Sequence, residues 1–140
     1  MIVGLGKALD IAGREGVREG ARLTTMCDRF VEHVLRSIPD AVSNGHSINR
    51  IPGNVSLSIA GVEPLALMHR LNGVASFSAS SACATDKVRT SPVLLAMFGD
   101  VDRARQAFRV SPGHGTKPEE LDIFAEALIT AAADLRRFAA

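Results

Sequence analysis

The chain has 140 residues, 46% of them apolar, which is enough for one hydrophobic core but not two, so we expect a single domain spanning residues 1–140. Its 16 Lys and Arg residues nearly balance 15 Asp and Glu residues, and Trp and Tyr are absent, which excludes the basic surface and aromatic stacking platforms typical of nucleic-acid-binding proteins. No stretch approaches the ~20 consecutive apolar residues of a membrane helix and the N-terminus lacks a secretory pattern, so we expect a soluble, cytoplasmic protein with no direct nucleic-acid or membrane partner.

The first part of the chain predicts one long amphipathic helix that ends at Ile38-Pro39. Its second half has apolar residues at helical spacing with charged residues between them: Leu23, Met26, Phe30 and Val34. Upstream of this stripe, Gly13, Gly16 and Gly20 each cost roughly 1 kcal/mol relative to alanine in a helix interior, so we expect the first half of the helix to be frayed or loosely packed. The apolar start at residues 1–3 has no capping residue before it, which suggests a chain cut from something longer.

The middle of the chain predicts a short helix between two strands. A very short strand at residues 41–43 is compatible with the Asn44-Gly45-His46 turn that follows it. From Gly53 to Ile59 apolar and polar residues alternate, which is the period of a half-buried strand. The short helix is expected over Pro64–Leu71, and the second strand over Val74–Ser78.

After residue 90 the pattern predicts two short helices and a third strand. Ser91 is a favoured N-cap and Pro92 a favoured first helical residue, so a helix is expected to run from there to Phe98. A second helical piece at Asp102–Gln106 precedes a strand at Ala107–Ser111.

A second long helix is predicted at the C-terminal end. Thr116, with Glu119 three residues later, has the pattern of a capping box and is expected to start a helix that ends near Arg137. The order of elements predicts an α/β fold of the two-layer α+β type. In it, a small, mainly antiparallel sheet of about three strands packs against two long helices, with short helices in addition.

Cys83 lies in a run of small and hydroxylated residues, residues 76–85, followed by a charged tract at residues 86–89. Such residues cannot bury enough apolar surface to fix themselves, so we expect a mobile surface loop after Phe77. A free cysteine is usually buried, so a cysteine in this loop points to chemistry more than to packing. The other cysteine, Cys27, lies beside the apolar stripe of the first helix, where packing is the better interpretation. The two contexts differ too much for a structural disulfide and favour a reducing compartment.

Four segments carry a family resemblance when they are taken in this order: Ser78–Thr85, Ser91–Leu94, Phe108–Ser111 and Thr116–Asp122. Together they resemble the C-terminal small domain of the pyridoxal-phosphate-dependent cysteine desulfurases, which are class V aminotransferase-like enzymes. That family typically has Ser-Ser-Gly-Ser-Ala-Cys-Thr-Ser at the thiol loop, Arg-Phe-Ser-Leu-Gly in the strand and Thr-Thr-Glu-Glu-Glu-Ile-Asp at the helix. The resemblance covers essentially the whole chain and implies the small-domain fold of the fold-type I pyridoxal-phosphate enzymes.

The resemblance implies a cysteine desulfurase, which converts L-cysteine to L-alanine and keeps the sulfur as an enzyme persulfide. Cys83 matches the loop cysteine that attacks the sulfur of a substrate held on pyridoxal phosphate. Arg109 matches the arginine that binds the substrate carboxylate, and a guanidinium suits that role because it can donate two parallel hydrogen bonds. The implied partners are L-cysteine, a pyridoxal-phosphate-binding large domain, a sulfur-acceptor protein and, in the full enzyme, a second copy in a homodimer.

The chain departs from the family pattern at three places. Ser80 stands where Gly is usual, Gly53 where Asn is usual, and Pro112-Gly113-His114 where Leu-Gly-Arg is common. None of the three lysines has a context that matches the lysine that forms the imine with the cofactor. We therefore expect this chain alone neither to hold pyridoxal phosphate nor to turn over cysteine.

Three interpretations of the function stay open at this point. The chain is the thiol-bearing part of a cysteine desulfurase, a non-enzymatic sulfur carrier or interaction module that accepts persulfide on Cys83, or a plain α/β domain with an incidental thiol. Arg109 likewise has a second interpretation, as a solvated strand residue. His46, His69 and His114 lack the spacing that gathers metal ligands, so no metal site is expected. Iron–sulfur assembly, tRNA thiolation and DNA phosphorothioation all use such desulfurases, and the sequence favours none of them decisively.

Overall fold

Helices and short strands are interspersed along the computed structural model, which describes residues 2–79 and 90–139. In chain order these elements are α1 (Ile2–Ser37), β1 (Ala41–Ser43), β2 (Val55–Ile59), α2 (Pro64–Arg70), β3 (Ser78–Ala79), α3 (Pro92–Phe98), α4 (Val101–Arg105), β4 (Ala107–Val110) and α5 (Pro118–Ala139). The two long helices lie where the apolar periodicity predicts them.

The strands form one antiparallel sheet in the order β1-β2-β4-β3. β2 and β4 are the central pair, with Leu57 opposite Phe108 and Val55 opposite Val110. The predicted two-layer α+β class with a mainly antiparallel sheet is confirmed. The described residues contain four strands where about three were predicted, because the short β1 pairs with β2 along its whole length.

The hydrophobic core lies between one face of this sheet and the helices α1, α2 and α5. Phe30 of α1 stacks on Phe124 of α5, with ring centroids 5.6 Å apart. Phe77, just before β3, packs edge-on against Phe108 of β4 at 5.5 Å. Burial of one large apolar side chain contributes about 1.5–3 kcal/mol. These ring contacts therefore stabilise the packing of the helices against the sheet.

The strand predicted over Val74–Ser78 is wrong over most of its length. β3 begins only at Ser78. The N–H groups of Val74 and Ala75 both donate to the carbonyl oxygen of Leu71, at 3.0 and 3.3 Å, and this turn prolongs the end of α2. Phe77 is buried although it lies outside the strand.

The capping box predicted from Thr116 and Glu119 does not form, and only one of its two hydrogen bonds is present, one residue later. The carboxylate of Glu120 accepts a hydrogen bond from the backbone N–H of Lys117 at 2.8 Å, while the side chain of Thr116 closes the preceding turn. Pro118 is the first helical residue, since its ring fixes φ near the helical value, and this makes Lys117 the N-cap.

The first part of α1 has no cover from the rest of the described chain. Every residue from 2 to 14 is exposed, including Leu5 and Leu9, whereas Met26, Phe30 and Val34 are buried. This agrees with the loose packing predicted from the glycines. Among the described helices, none combines the length and the apolar character that crossing a bilayer requires.

Candidate functional site

Cys83 and Ser80 belong to the segment 80–89, which lies outside the described residues, so the site is described from the residues on either side of that segment. Ala79 ends β3 on one side. On the other side Ser91 is the N-cap of α3, and its hydroxyl oxygen accepts a hydrogen bond from the backbone N–H of Leu94 at 3.3 Å. The predicted Ser91-Pro92 helix start is therefore observed directly.

Both flanks of that segment line a single groove of about 540 Å³. The groove lies over the sheet face opposite the core, and α3 forms one of its walls. The polar and flanking residues that line it are Asn44, Asn54, Ser56, Ala79, Ser91 and Arg109. The chain thus brings the two ends of the Cys83 segment and the predicted carboxylate-binding arginine to one place.

Arg109 reaches the groove because of the strand period. Its neighbours Phe108 and Val110 point into the core and are buried, so the guanidinium projects from the opposite face and is exposed. Among the described residues, no acidic side chain lines the groove and none forms an ion pair with Arg109. The groove therefore presents a positive charge with polar neighbours, which suits a carboxylate or another small anion.

A network of polar side chains supports the floor of the groove. Arg103 of α4 donates from Nε to Asn44 Oδ1 at 2.9 Å, and Asn44 donates from Nδ2 to Ser58 Oγ at 2.9 Å and to Ser56 Oγ at 3.3 Å. Ser58 donates in turn to the carbonyl oxygen of Arg103 at 2.8 Å. The guanidinium of Arg103 also lies 3.6 Å from the ring centroid of Phe98, at the end of α3.

Sequence reasoning did not identify Asn44 or Arg103 as part of the site. The available signal was the polar alternation of Ser56 and Ser58 along β2, which predicted a solvated strand face. In the structure Ser58 is instead buried beneath α4, where its hydroxyl is satisfied by the network. A buried serine needs such partners, because an unpaired buried hydroxyl costs about 1–3 kcal/mol.

The turn that follows β4 is anchored to α1. Arg22 donates to the carbonyl oxygens of Thr116 at 2.8 Å, Gly113 at 3.2 Å and His114 at 3.3 Å. The same guanidinium pairs with Glu19 at 2.7 Å, and this hydrogen bond lowers the pKa of the Glu19 carboxyl. The backbone of the turn is thus held at three carbonyl oxygens by one guanidinium, which helps to fix the C-terminal end of the Arg109 strand.

Gly53 packs against this turn. Its φ is +76°, and a Cβ atom there would lie 2.9 Å from the carbonyl oxygen of Pro112 and 3.3 Å from a methyl carbon of Leu23. Gly53 and Pro112-Gly113-His114, two of the predicted departures from the family pattern, are therefore neighbours in space. Glycine at residue 53 permits the close approach of the two backbones.

Replacing Gly53 with alanine is expected to lower the free energy of unfolding by roughly 2–4 kcal/mol, because it adds left-handed backbone strain to a steric clash. Gly61 provides a matched control, since its φ is +73° and a Cβ atom there meets nothing within 4 Å. Gly61→Ala should therefore cost only the strain, about 1–2 kcal/mol. Equal losses for the two variants in urea denaturation would contradict the close contact with Pro112.

Cys27 is buried in α1, 2% exposed, and its thiol is free. Desolvation raises the pKa of this thiol, partly offset by the nearby positive charge of Arg50. A buried thiol with a raised pKa is a poor nucleophile, because the thiolate is the reactive form. The structure therefore agrees with the packing interpretation of Cys27.

The raised pKa of Cys27 has a consequence for stability at high pH. Above about pH 8.5 the Cys27 thiol ionises in the unfolded chain but stays protonated in the folded chain, because its pKa is higher there. Ionisation then favours the unfolded state, so the free energy of unfolding falls as pH rises. We expect the free energy of unfolding of the wild type to fall, relative to Cys27→Ala, by up to about 1.4 kcal/mol per pH unit in that window. Parallel urea denaturation curves for both proteins between pH 7.5 and 10 would measure it, and a pH-independent difference would contradict the burial effect.

Neither of the two described lysines lies at the groove. Lys7 pairs with Asp10 on the exposed half of α1, and Lys117 immediately precedes α5. Lys87 lies outside the described residues. Within residues 2–79 and 90–139, no group of three or more His, Cys, Asp or Glu side chains is placed to hold a metal ion.

Comparison with curated proteins finds relatives over nearly the whole chain. The human protein named cysteine desulfurase is 35% identical over 129 residues, which are 92% of this chain and 28% of that protein. The Pseudomonas putida protein named cysteine desulfurase IscS is 36% identical over 135 residues, which are 96% of this chain and 33% of that protein. The chain therefore spans about a third of the length of these relatives. No family model matches it.

Solved structures show the same fold. A NifS-like protein superposes with a TM-score of 0.80 at 22% identity, over 95% of this chain and 33% of that one. A NifS-like protein from Rickettsia africae superposes with a TM-score of 0.76 at 16% identity, over 93% of this chain and 33% of that one. At these identities the structures establish the fold, and the curated relatives confirm the family resemblance predicted from the sequence.

Proposed function

We propose that this chain, which is related to the cysteine desulfurases over almost its whole length, is the C-terminal small domain of such an enzyme. In this proposal Cys83 is the persulfide-forming cysteine and Arg109 binds the carboxylate of L-cysteine. The pyridoxal-phosphate lysine belongs to a large domain that acts as its partner. The relatives support this arrangement because each is between three and four times as long as the part that this chain matches.

One observation carries the proposal more than any other. Ala79 and Ser91, which flank the Cys83 segment, line the same groove as the exposed guanidinium of Arg109. A thiol tethered at both of those points and a carboxylate held on Arg109 would belong to one site. The pairing of β3 with β4 places Ala79 next to Arg109, and the position of α3 brings Ser91 to the same groove.

The proposed reaction transfers one sulfur atom. The Cys83 thiolate attacks the sulfur of L-cysteine, a sulfur–sulfur bond forms, and the carbon–sulfur bond of the substrate breaks. The electron pair of that bond stays on carbon, which takes up a proton, so the products are L-alanine and a Cys83 persulfide. Pyridoxal phosphate on the large domain supplies the electron-withdrawing group that this cleavage needs. The persulfide is then passed to a sulfur-acceptor protein.

The proposal is tested by combining this chain with the separately produced pyridoxal-phosphate domain of a related cysteine desulfurase. L-Alanine is then measured after L-cysteine is added. We expect alanine only when both components are present, since neither described lysine lies at the groove. Alanine from this chain alone, with a cofactor absorbance band, would contradict the assigned division of roles. No alanine from a formed complex, together with uptake of persulfide sulfur on Cys83 from a donor, would instead favour the sulfur-carrier function.

A further inference from the structure

The groove holds a second polar group beside Arg109 that the proposed reaction leaves without a role. Ser56 of β2 lies directly opposite Arg109 of β4 in the sheet register, and both residues line the groove. Side chains directly opposite each other on antiparallel strands have Cβ atoms about 5 Å apart. The sheet register therefore places the Ser56 hydroxyl beside the base of the Arg109 side chain, and both side chains face the same groove.

The direction of the neighbouring amide is fixed by Arg103. A guanidinium has hydrogen-bond donors but no acceptor, so Asn44 must present Oδ1 to Arg103 Nε, 2.9 Å away. This orientation directs the Nδ2 donors of Asn44 toward β2. A second hydrogen bond, from Arg103 Nη2 to the carbonyl oxygen of Ser43 at 3.2 Å, holds the guanidinium in place.

The Asn44 amide in turn fixes the direction of the Ser56 hydroxyl. Asn44 Nδ2 donates to Ser56 Oγ at 3.3 Å, so this oxygen acts as an acceptor on that side. Ser58 also accepts from Asn44, but its own proton goes to the carbonyl oxygen of Arg103. Among the described residues, no acceptor takes the proton of Ser56. Within residues 2–79 and 90–139, its O–H is therefore available to donate into the groove.

We propose that the Ser56 hydroxyl is the second hydrogen-bond donor to the carboxylate held by Arg109. Asn44 and Arg103 are positioning residues that orient this donor. The inference deepens the proposed function and rests on it. The ligand assigned to this site is a small carboxylate that accepts hydrogen bonds from residues on two neighbouring strands. A neutral group of the same shape should bind less well.

The test uses the whole chain and acetate as the carboxylate probe. The ¹⁵N-labelled protein is titrated with acetate while the Nε–H signal of the Arg109 side chain is followed by NMR, and acetamide serves as the uncharged probe. Ser56→Ala should raise the Kd for acetate about tenfold or more, because it removes one hydrogen bond to a charged group. Ser78 is the other cross-strand partner of Arg109 but is not among the residues found to line the groove. Ser78→Ala should therefore change the Kd less than about twofold.

A second variant tests the positioning role of Asn44. Asn44→Asp keeps an acceptor for Arg103 but removes the donor to Ser56, so the Ser56 proton turns toward the new carboxylate and away from the groove. The added negative charge also repels acetate, and the same substitution in a Ser56→Ala background measures that repulsion alone. We expect Asn44→Asp to weaken acetate binding more in the wild type than in the Ser56→Ala background, which is a coupling that a merely structural role would not produce.

The outcomes separate this inference from the proposed function. If Ser56→Ala binds acetate as tightly as the wild type while Arg109→Ala loses binding, the inference is overturned but the carboxylate role of Arg109 stands. Unchanged acetate binding in Arg109→Ala would overturn both.

Discussion

Replacing Cys83 with serine is expected to abolish L-alanine formation by the complex of this chain with a pyridoxal-phosphate domain. The rate should fall at least about 1,000-fold, because a serine hydroxyl is a much weaker nucleophile at neutral pH and cannot store sulfur as a persulfide. The rate of alanine release from L-cysteine at saturating substrate measures this effect directly.

Cys27 is the matched control for that substitution. Its thiol is buried and its pKa is raised, so Cys27→Ser should leave the rate of alanine formation within about twofold of the wild type once folding has been verified. Iodoacetamide should accordingly alkylate Cys83 faster than Cys27 in the native chain. Desulfurase activity that survives in Cys83→Ser and disappears in Cys27→Ser would reverse the assignment of the two thiols.

Replacing Arg109 with alanine is expected to raise the KM for L-cysteine by about 30-fold or more in the same complex. Hydrogen bonds to charged groups contribute about 1.5–3 kcal/mol each, and a guanidinium can donate two of them to one carboxylate. Lysine keeps the charge but loses the paired geometry, so Arg109→Lys should restore only part of the affinity. Steady-state kinetics with L-cysteine separate the effect on KM from that on kcat.

Arg105 offers a control for general changes in charge. It is exposed on α4 and is not among the residues that line the groove. Arg105→Ala removes the same charge a few residues away and should leave KM within about twofold of the wild type. Similar KM values for Arg109→Ala and Arg105→Ala would show that Arg109 is a solvated strand residue, which is the alternative that its exposed position also allows.

Where local chemistry decides the structure, the sequence predicts it well. The helix α3 begins at the Ser91-Pro92 pair and ends at Gly99, whose φ of +64° few residues adopt without strain. The buried stripe of α1 follows from apolar spacing alone, and Phe30 and Val34 on it are both buried. In each case the determining contacts lie within a few residues of one another along the chain.

Errors arise where distant or competing contacts decide the structure. The hydrogen bond from the backbone to a glutamate moves by one residue, to Lys117 and Glu120, because α5 begins at Pro118. The Asn44–Arg103 contact, which organises the floor of the groove, joins residues 59 positions apart on two different elements. No spacing rule connects such a pair, since the sheet register and the placement of α4 must be known first. The convergence of Ala79, Ser91 and Arg109 depends on the same long-range geometry.

The most direct test of the account is to follow sulfur itself. This chain is mixed with a pyridoxal-phosphate domain whose own thiols have been replaced, L-cysteine labelled with a heavy sulfur isotope is added, and the chain is mapped by mass spectrometry under non-reducing conditions. The account predicts one labelled sulfur atom on the peptide that contains Cys83, none on the peptide that contains Cys27, and no label when the pyridoxal-phosphate domain is omitted. Unlabelled Cys83 in a complex that has formed, or equal labelling of Cys27, would contradict it.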